Sequence, residues 1–297
     1  MSDWTIFKII SWSETYFRSN QIDNPRLTTE ILLSFNLKIK RIELYLQHDR
    51  PLNKDELASY KKLLKRRIDR EPVAYITGRK GFWNSEFLTP SNVLIPRPDT
   101  ETLVEKALTF LNLKKDSSEV VSKKILELGA GSGAIIISLA EVHPENQYFA
   151  SDLSDDAIKA ITANAGRILD NTEIHLLQAS WFDAIKKNEF FDLVISNPPY
   201  IRALEIDTLE EEIKTYEPRM ALDGGEDGLL CLKEIILNAS DYLLPGGRLL
   251  LEMGYDQKES VNDISKTCPD FEQAEFIKDL AGNWRVAIIR KRLSTDK

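Results

Sequence analysis

Apolar residues in the first quarter of the chain recur at three- and four-residue spacings, the rhythm of amphipathic helices. Trp4, Phe7, Ile10 and Phe17 trace a first helix, and Leu27, Ile31, Leu32 and Phe35 a second that opens at Asn24-Pro25. Residues 41–48 give a short third. Asn53 followed by Glu56 has the form of a capping box, after which Leu57, Tyr60, Leu64 and Ile68 line one face of a fourth. No glycine occurs among these residues. Residues 1–75 therefore read as a small helical bundle. The pattern breaks from Glu71-Pro72 to Gly78, and residues 81–88 carry two aromatic-rich arms around Asn84-Ser85, which predicts a β-hairpin. After Ile95-Pro96-Arg97-Pro98, Asp99 or Thr100 can cap a helix running through Leu103, Val104, Ala107 and Leu108.

From Lys123 the rhythm becomes strand, loop, helix, repeated. That alternation predicts an α/β domain, a parallel sheet with helices on both faces. Strands are expected at 124–128, 148–152, 173–177, 191–196 and 248–252, a helix at about 228–240, and a terminal antiparallel pair at 277–280 and 286–289. The organisation expected is a helical domain over 1–75, a hairpin linker over 76–97 and the α/β domain over 98–297.

Composition narrows the function classes. With 297 residues, 42% of them hydrophobic, the chain can fill a real core. It has no apolar run long enough to span a membrane. Met1-Ser2-Asp3-Trp4 lacks the features of a signal peptide, so a cytoplasmic location is expected. A net charge of −8 argues against a protein whose main partner is bare nucleic-acid phosphate. Residues 1–75 hold 14 Lys and Arg against 10 Asp and Glu, a balance of +4 that leaves −12 to the remainder. Two domains with different roles would show such a split, as would a solvated helix face over 61–70. Cys231 and Cys268 are too few for a disulfide framework or a zinc site, and His48, His143 and His175 are scattered without metal-ligand spacing. Structural or surface roles are expected for all five, and no metal.

The candidate chemistry lies at two strand ends. Gly129-Ala130-Gly131-Ser132-Gly133 directly follows the first predicted strand, and alternate glycines let a backbone turn tightly against a bound group. A plain strand-to-helix turn would look similar. The third glycine comes one residue early for the dinucleotide pattern, and Asp152 ends the next strand about 20 residues on, placed to take ribose hydroxyls. Glu127 and Asp152 beside the loop favour a ligand with a ribose and a cationic group, such as S-adenosylmethionine, over a phosphorylated one. Trp181 could flank an adenine or pack in the core.

Asn197-Pro198-Pro199-Tyr200 closes the run 191–196, where the proline pair ends a buried strand. Asn197 offers a side-chain acceptor, Pro198 a backbone carbonyl and Tyr200 an aromatic face; none is a base or nucleophile at neutral pH. Two acceptors suit a flat NH2 group conjugated to a carbonyl or ring, whose lone pair they can turn toward an electrophile. Arg97, fixed between prolines, could reach the ligand or form a salt bridge.

Taken together, residues 71–76 with Gly78, the run Leu94-Ile95-Pro96-Arg97-Pro98-Asp99-Thr100-Glu101, the glycine loop, Asn197-Pro198-Pro199-Tyr200-Ile201, Tyr216-Glu217-Pro218 and Asp279-Leu280-Ala281-Gly282 resemble the peptide chain release factor glutamine methyltransferases, the HemK/PrmC family. The resemblance implies a Rossmann-like class I S-adenosylmethionine-dependent methyltransferase domain. It implies N5-methylation of the glutamine in the Gly-Gly-Gln motif of class I release factors, tuning translation termination and leaving S-adenosylhomocysteine. Carried over, Glu127, Gly129, Ala130, Gly131, Ser132, Gly133, Asp152, Trp181 and Asn197 would meet the cofactor. Asn197, Pro198, Pro199 and Tyr200 would hold the glutamine amide, with Arg97 nearby, and the helical domain would grip the release factor. A monomer that binds no nucleic acid directly is expected. Glu127 and Ser180 stand where the family usually has Asp. N5-glutamine methylation of a ribosomal protein, N6-adenine methylation of nucleic acid and a non-enzymatic binder are the alternatives.

Overall fold

A computed structural model describes residues 4–112, 122–187 and 190–293. Residues 1–3, on which the signal-peptide reading partly falls, lie outside the described residues. Two compact units account for the chain: Met1–Arg79 together with Glu210–Tyr216, and Lys80–Leu209 together with Glu217–Lys297.

The first unit is helical. Helix α1 (Ile6–Ser19) opens where the Thr5 hydroxyl accepts from the Lys8 amide at 3.3 Å, and α2 (Pro25–Leu37) has Pro25 in its first turn. The short α3 (Arg41–Leu46) precedes α4 (Lys54–Ile68), where Asn53 and Glu56 form the expected capping box at 2.8 Å in both directions. The stretch expected to break the helical pattern contains one more helical turn, α5 (Val73–Thr77), ended by Gly78 at φ +71°. Ile6, Phe17, Leu32, Leu33, Leu44 and Tyr60 fill the core. The buried stripe of α1 is Ile6, Ile9, Ile10, Ser13 and Phe17, so Trp4 and Phe7, expected on it, are instead 41% and 60% exposed. Leu27 and Phe35 of α2 are likewise exposed. A sixth helix comes from far along the chain: Glu211–Tyr216, α9 in chain order, is held by an Arg67–Glu212 ion pair and by the Tyr216 hydroxyl donating to the Asp69 carbonyl at 2.6 Å.

The second unit begins with the hairpin β1 (Arg79–Phe82) and β2 (Ser85–Leu88). Its turn is Trp83-Asn84, one residue earlier than expected, with Trp83 at φ +52°. Phe82 and Phe87 face the core of this unit, so the hairpin belongs to it as more than a linker. After α6 (Glu101–Leu111) the chain alternates: β3 (Lys124–Leu128), α7 (Ala134–Val142), β4 (Gln147–Asp152), α8 (Asp155–Ile168), β5 (Ile174–Gln178) and β6 (Phe191–Ser196). Then follow α10 (Leu230–Ala239), β7 (Leu243–Glu252), α11 (Lys258–Lys266), β8 (Glu275–Lys278) and β9 (Trp284–Arg290). Strand β7 starts five residues before the expected 248, because Pro245-Gly246-Gly247 forms a register-shifting bulge inside it.

The seven strands run in the order β5-β4-β3-β6-β7-β9-β8. β3 to β7 are parallel neighbours, and β9 pairs antiparallel with both β7 and β8. Helices α6, α7 and α8 cover one face through Leu103, Val104, Ile136 and Ile161; α10 and α11 cover the other through Leu232, Ile235 and Val261. The winding direction reverses between β3 and β6, and the crevice outside the carboxyl ends there is where such sheets bind ligands.

Candidate active site

A cavity of about 450 Å³ opens at that reversal point. This is the size of a small-molecule site. Of the residues singled out in the sequence, Arg97, Glu127, Gly129, Ala130, Gly131, Ser132, Asp152, Trp181, Asn197 and Pro199 line it; Gly133, Pro198 and Tyr200 are not among its lining residues.

On the β3 side, the glycine loop is held by backbone alone. The Gly129 and Ala130 amides both donate to the Ser151 carbonyl, at 2.8 and 3.1 Å. Gly129, Gly131 and Gly133 all have positive φ. Gly133 serves packing, since it caps α7 and a Cβ there would lie 2.8 Å from Ile137 Cδ1 and 3.1 Å from Ile161 Cγ2. At Gly129 a Cβ would meet the Trp181 ring at 3.2 Å. Trp181 thus both packs on the core and lines the cavity, and its φ of +39° is steadied by the Ser151 hydroxyl donating to its carbonyl at 3.0 Å.

Two carboxyls face this loop. Asp152 accepts from the Gly131 and Ser154 amides, each at 2.8 Å, which partly offsets the burial that raises its pKa. Glu127 is 1% exposed and accepts from the Ile136 amide, in the first turn of α7, at 2.9 Å. Burial pushes its pKa well up, and Asp152 adds to the effect. Such a carboxyl, dry and short of a positive partner, is a place for a cation.

On the β6 side the groups are neutral. Asn197 Nδ2 donates to the Thr100 hydroxyl at 3.2 Å. Among the described residues nothing donates to Asn197 Oδ1 or to the Pro198 carbonyl. Thr100, read from sequence as a helix cap, makes no cap hydrogen bond; its hydroxyl is turned to Asn197 instead. The Tyr200 hydroxyl, which needs a partner once buried, donates to Glu252 at 3.1 Å and lies 3.5 Å from Arg285. Arg285 is paired with Asp279 at 3.1 Å and with Asp99 at 3.3 Å. Arg97 forms the salt bridge that was one of its two alternatives, holding the buried Glu217 at 2.6 Å, and it also lines the cavity; Glu217 accepts from the Ile95 amide as well. Cys231, for which a structural or surface role is expected, lines the cavity, but burial and nearby Glu234 and Asp223 push its thiol up to about 11, so it stays neutral.

Sequence reasoning missed Glu252, Arg285 and Asn164. Asn164 is fully buried and ties the glycine loop to the hairpin, donating to the Ser132 and Leu88 carbonyls at 2.9 and 3.1 Å. Its signal was available: it continues the buried stripe Ala157, Ala160, Ile161 of α8 with a polar residue. Among the described residues no group of His, Cys, Asp and Glu could hold a metal ion.

Residues 8–78 match the PrmC N-terminal domain and residues 106–226 the methyltransferase small domain. The chain is 40% identical to the release factor glutamine methyltransferase of Geobacter sulfurreducens over 258 residues, 87% of each chain. The chain belongs to the release factor glutamine methyltransferase family. It is 35% identical to the enzyme of that name from Caulobacter vibrioides, over 96% of each chain. A T. thermophilus 16S rRNA N2 G1207 methyltransferase, solved with AdoMet and guanosine, shares the fold, with a TM-score of 0.50 at 16% identity over 72% of this chain and 50% of that one. The second unit is accordingly a Rossmann-like class I methyltransferase domain, and the protein is an enzyme that uses S-adenosylmethionine. No helix among the described residues is long and apolar enough to cross a membrane.

Proposed function

We propose that this enzyme methylates N5 of the glutamine in the Gly-Gly-Gln motif of class I peptide chain release factors, with S-adenosylhomocysteine as the second product. The observation that carries the reading is Asn197: its Nδ2 is committed to Thr100, which leaves Oδ1 as the free end of the side chain at the cavity. A lone carboxamide nitrogen offers two N–H bonds, and Oδ1 together with the Pro198 carbonyl supplies two acceptors at one strand end.

The residues present fit the cofactor. Glu127 would meet the cationic centre, Asp152 would take ribose hydroxyls, Trp181 would lie against the adenine, and the glycine loop would let backbone come close, all of them lining the same cavity. S-adenosylmethionine, when bound, supplies an electrophilic methyl group on a positively charged sulfur. What the chain itself contributes is to hold the glutamine nitrogen so that its lone pair points at that methyl, and to stabilise the positive charge that grows on nitrogen as it attacks. No base is required before transfer, and the two acceptors can pass the surplus proton to water afterwards.

The first unit suits the protein partner. Trp12 stacks on Tyr16 at 5.0 Å between ring centres and meets Trp4 edge-on at 6.3 Å, and all three are more than a third exposed, with Phe7 beside them in sequence. An exposed aromatic strip of this kind marks a surface for binding protein. The acidic balance, −8 overall, supports an enzyme working on protein rather than directly on nucleic acid, and the residues that line the cavity all come from one chain, so a monomer suffices for the site.

Mass spectrometry of a purified release factor incubated with the enzyme and S-adenosylmethionine tests this. One methyl on the Gly-Gly-Gln glutamine is expected. Methyl appearing on a ribosomal protein, or on DNA or RNA, with none on the release factor would overturn it.

A further inference from the structure

An asparagine amide is almost symmetric in shape, so a half-turn about its last bond exchanges an acceptor for a donor with little change in packing. For Asn197 the exchange would be ruinous to an amide clamp: an NH2 group would face an NH2 group. Something must select the orientation, and the selection has to come from hydrogen bonding.

The partner of the amide is Thr100, which is 4% exposed and bonded to Asn197 Nδ2 at 3.2 Å. A hydroxyl can donate or accept, so Thr100 alone selects nothing. Behind it lies Glu252, 1% exposed, on which the Thr100 hydroxyl acts to favour the charged carboxyl. Oε1 of Glu252 accepts from Tyr200 at 3.1 Å, and its buried Oε2 has no hydrogen-bond partner among the described residues, which leaves it open to the Thr100 proton. An ionised carboxyl can only accept. Once the Thr100 proton is directed to Glu252, its oxygen is left to accept, and only the nitrogen end of Asn197 can satisfy it.

We propose that Thr100 is a positioning residue for methyl transfer, fixing the Asn197 amide with its oxygen toward the substrate, and that Glu252 sets the direction of this hydrogen-bond chain. Burial raises the Glu252 pKa, and the Thr100 hydroxyl, the charge of Arg285, itself tied to Asp99 and Asp279, and the phenol of Tyr200 work against that rise and favour the ionised carboxyl. The chain joins three otherwise separate motifs: Asp99-Thr100 before α6, Asn197 to Tyr200 after β6, and Asp279 just after β8 with Arg285 on β9.

The inference rests on the amide-clamp reading of Asn197, and its test separates the two. Methyl transfer to the release factor is measured for the wild type, Thr100→Val, Thr100→Ser and Glu252→Gln, with the dissociation constant for S-adenosylmethionine and the melting temperature of each. Failure of the wild type to methylate the release factor sinks the functional reading itself. With an active wild type, T100V is expected to lose about tenfold to a hundredfold in kcat, the worth of one well-placed hydrogen bond. Its cofactor affinity should change less than about threefold, and T100S should return to within about threefold of wild type. E252Q, whose side chain can donate as well as accept, should fall between. Wild-type kcat in T100V, or T100S as slow as T100V, overturns the proposal, as does a loss confined to KM. If T100V is too unstable to assay, T100S against E252Q decides: both at wild-type kcat overturns it.

Discussion

The ends of β3 and β6 lie side by side and handle polarity in opposite ways. Around the β3 end the polar groups are carboxyls, Glu127 on β3 itself and Asp152 at the end of the neighbouring β4, and what satisfies them is backbone: the Ile136, Gly131 and Ser154 amides. At β6 the polar group facing the cavity is a neutral amide, and what orients it is a set of side chains reaching back through Thr100 to Glu252. The first arrangement accepts a cation and depends on loop conformation. The second holds a neutral amide and depends on side chains from other elements, so it can be damaged from a distance.

The largest effect separates the two ends. Asn197→Ala should lower kcat by about a thousandfold, the scale seen when one preorganised polar contact to a developing charge is removed. S-adenosylmethionine affinity, measured by calorimetry, should fall by less than about fivefold. Equal losses in both would show that Asn197 serves the cofactor end instead.

Glu127→Gln is the converse, expected to weaken cofactor binding by about tenfold to a hundredfold, an electrostatic loss of roughly 1.4 to 3 kcal/mol in a dry site. It also carries a stability signature. Burial raises the Glu127 pKa above its unfolded value, so between the two values the folded protein binds more protons than the unfolded chain. Stability from this group therefore falls as pH rises through that window. The variant without added cofactor should melt a few degrees higher than wild type at pH 8, and the gain should vanish below about pH 4, where both states are protonated. A lower melting temperature at pH 8 would contradict this account of Glu127.

Gly133→Ala should act on folding rather than chemistry. Its φ of +78° and the 2.8 Å approach to Ile137 Cδ1 imply a loss of about 1 to 3 kcal/mol, read by denaturant unfolding. Once folded, the variant should keep cofactor affinity within a few-fold, since Gly133 does not line the cavity.

These contrasts track how much each part showed in the sequence. The parallel strands were legible because short apolar runs ending in glycine or proline have few other uses, and the capping box at Asn53 and Glu56 was legible because it is purely local. The stripe of α1 was misplaced because aromatic residues dominate any reading by hydrophobicity, yet Trp4 and Phe7 face outward while Ile6 and Ile9 are buried. The β3 end was readable, since Glu127 and the glycines are adjacent in sequence and Asp152 ends the very next strand. Much of the β6 end was not. Thr100 looked like a helix cap because Ser, Thr, Asp and Asn before an apolar run usually are; only tertiary structure brings Asn197, 97 residues later, to its hydroxyl. Glu252 and Arg285 belong to strands that read simply as core. Arg97 and Glu217 appeared as two separate motifs and are one ion pair.

The most direct measurement is a crystal structure of the enzyme with S-adenosylhomocysteine and a peptide carrying Gly-Gly-Gln. The account predicts the glutamine side-chain nitrogen within about 3.2 Å of both Asn197 Oδ1 and the Pro198 carbonyl oxygen, with Asn197 Nδ2 still on Thr100. A glutamine nitrogen held elsewhere in the cavity, or an Asn197 that turns its nitrogen to the substrate, would contradict it.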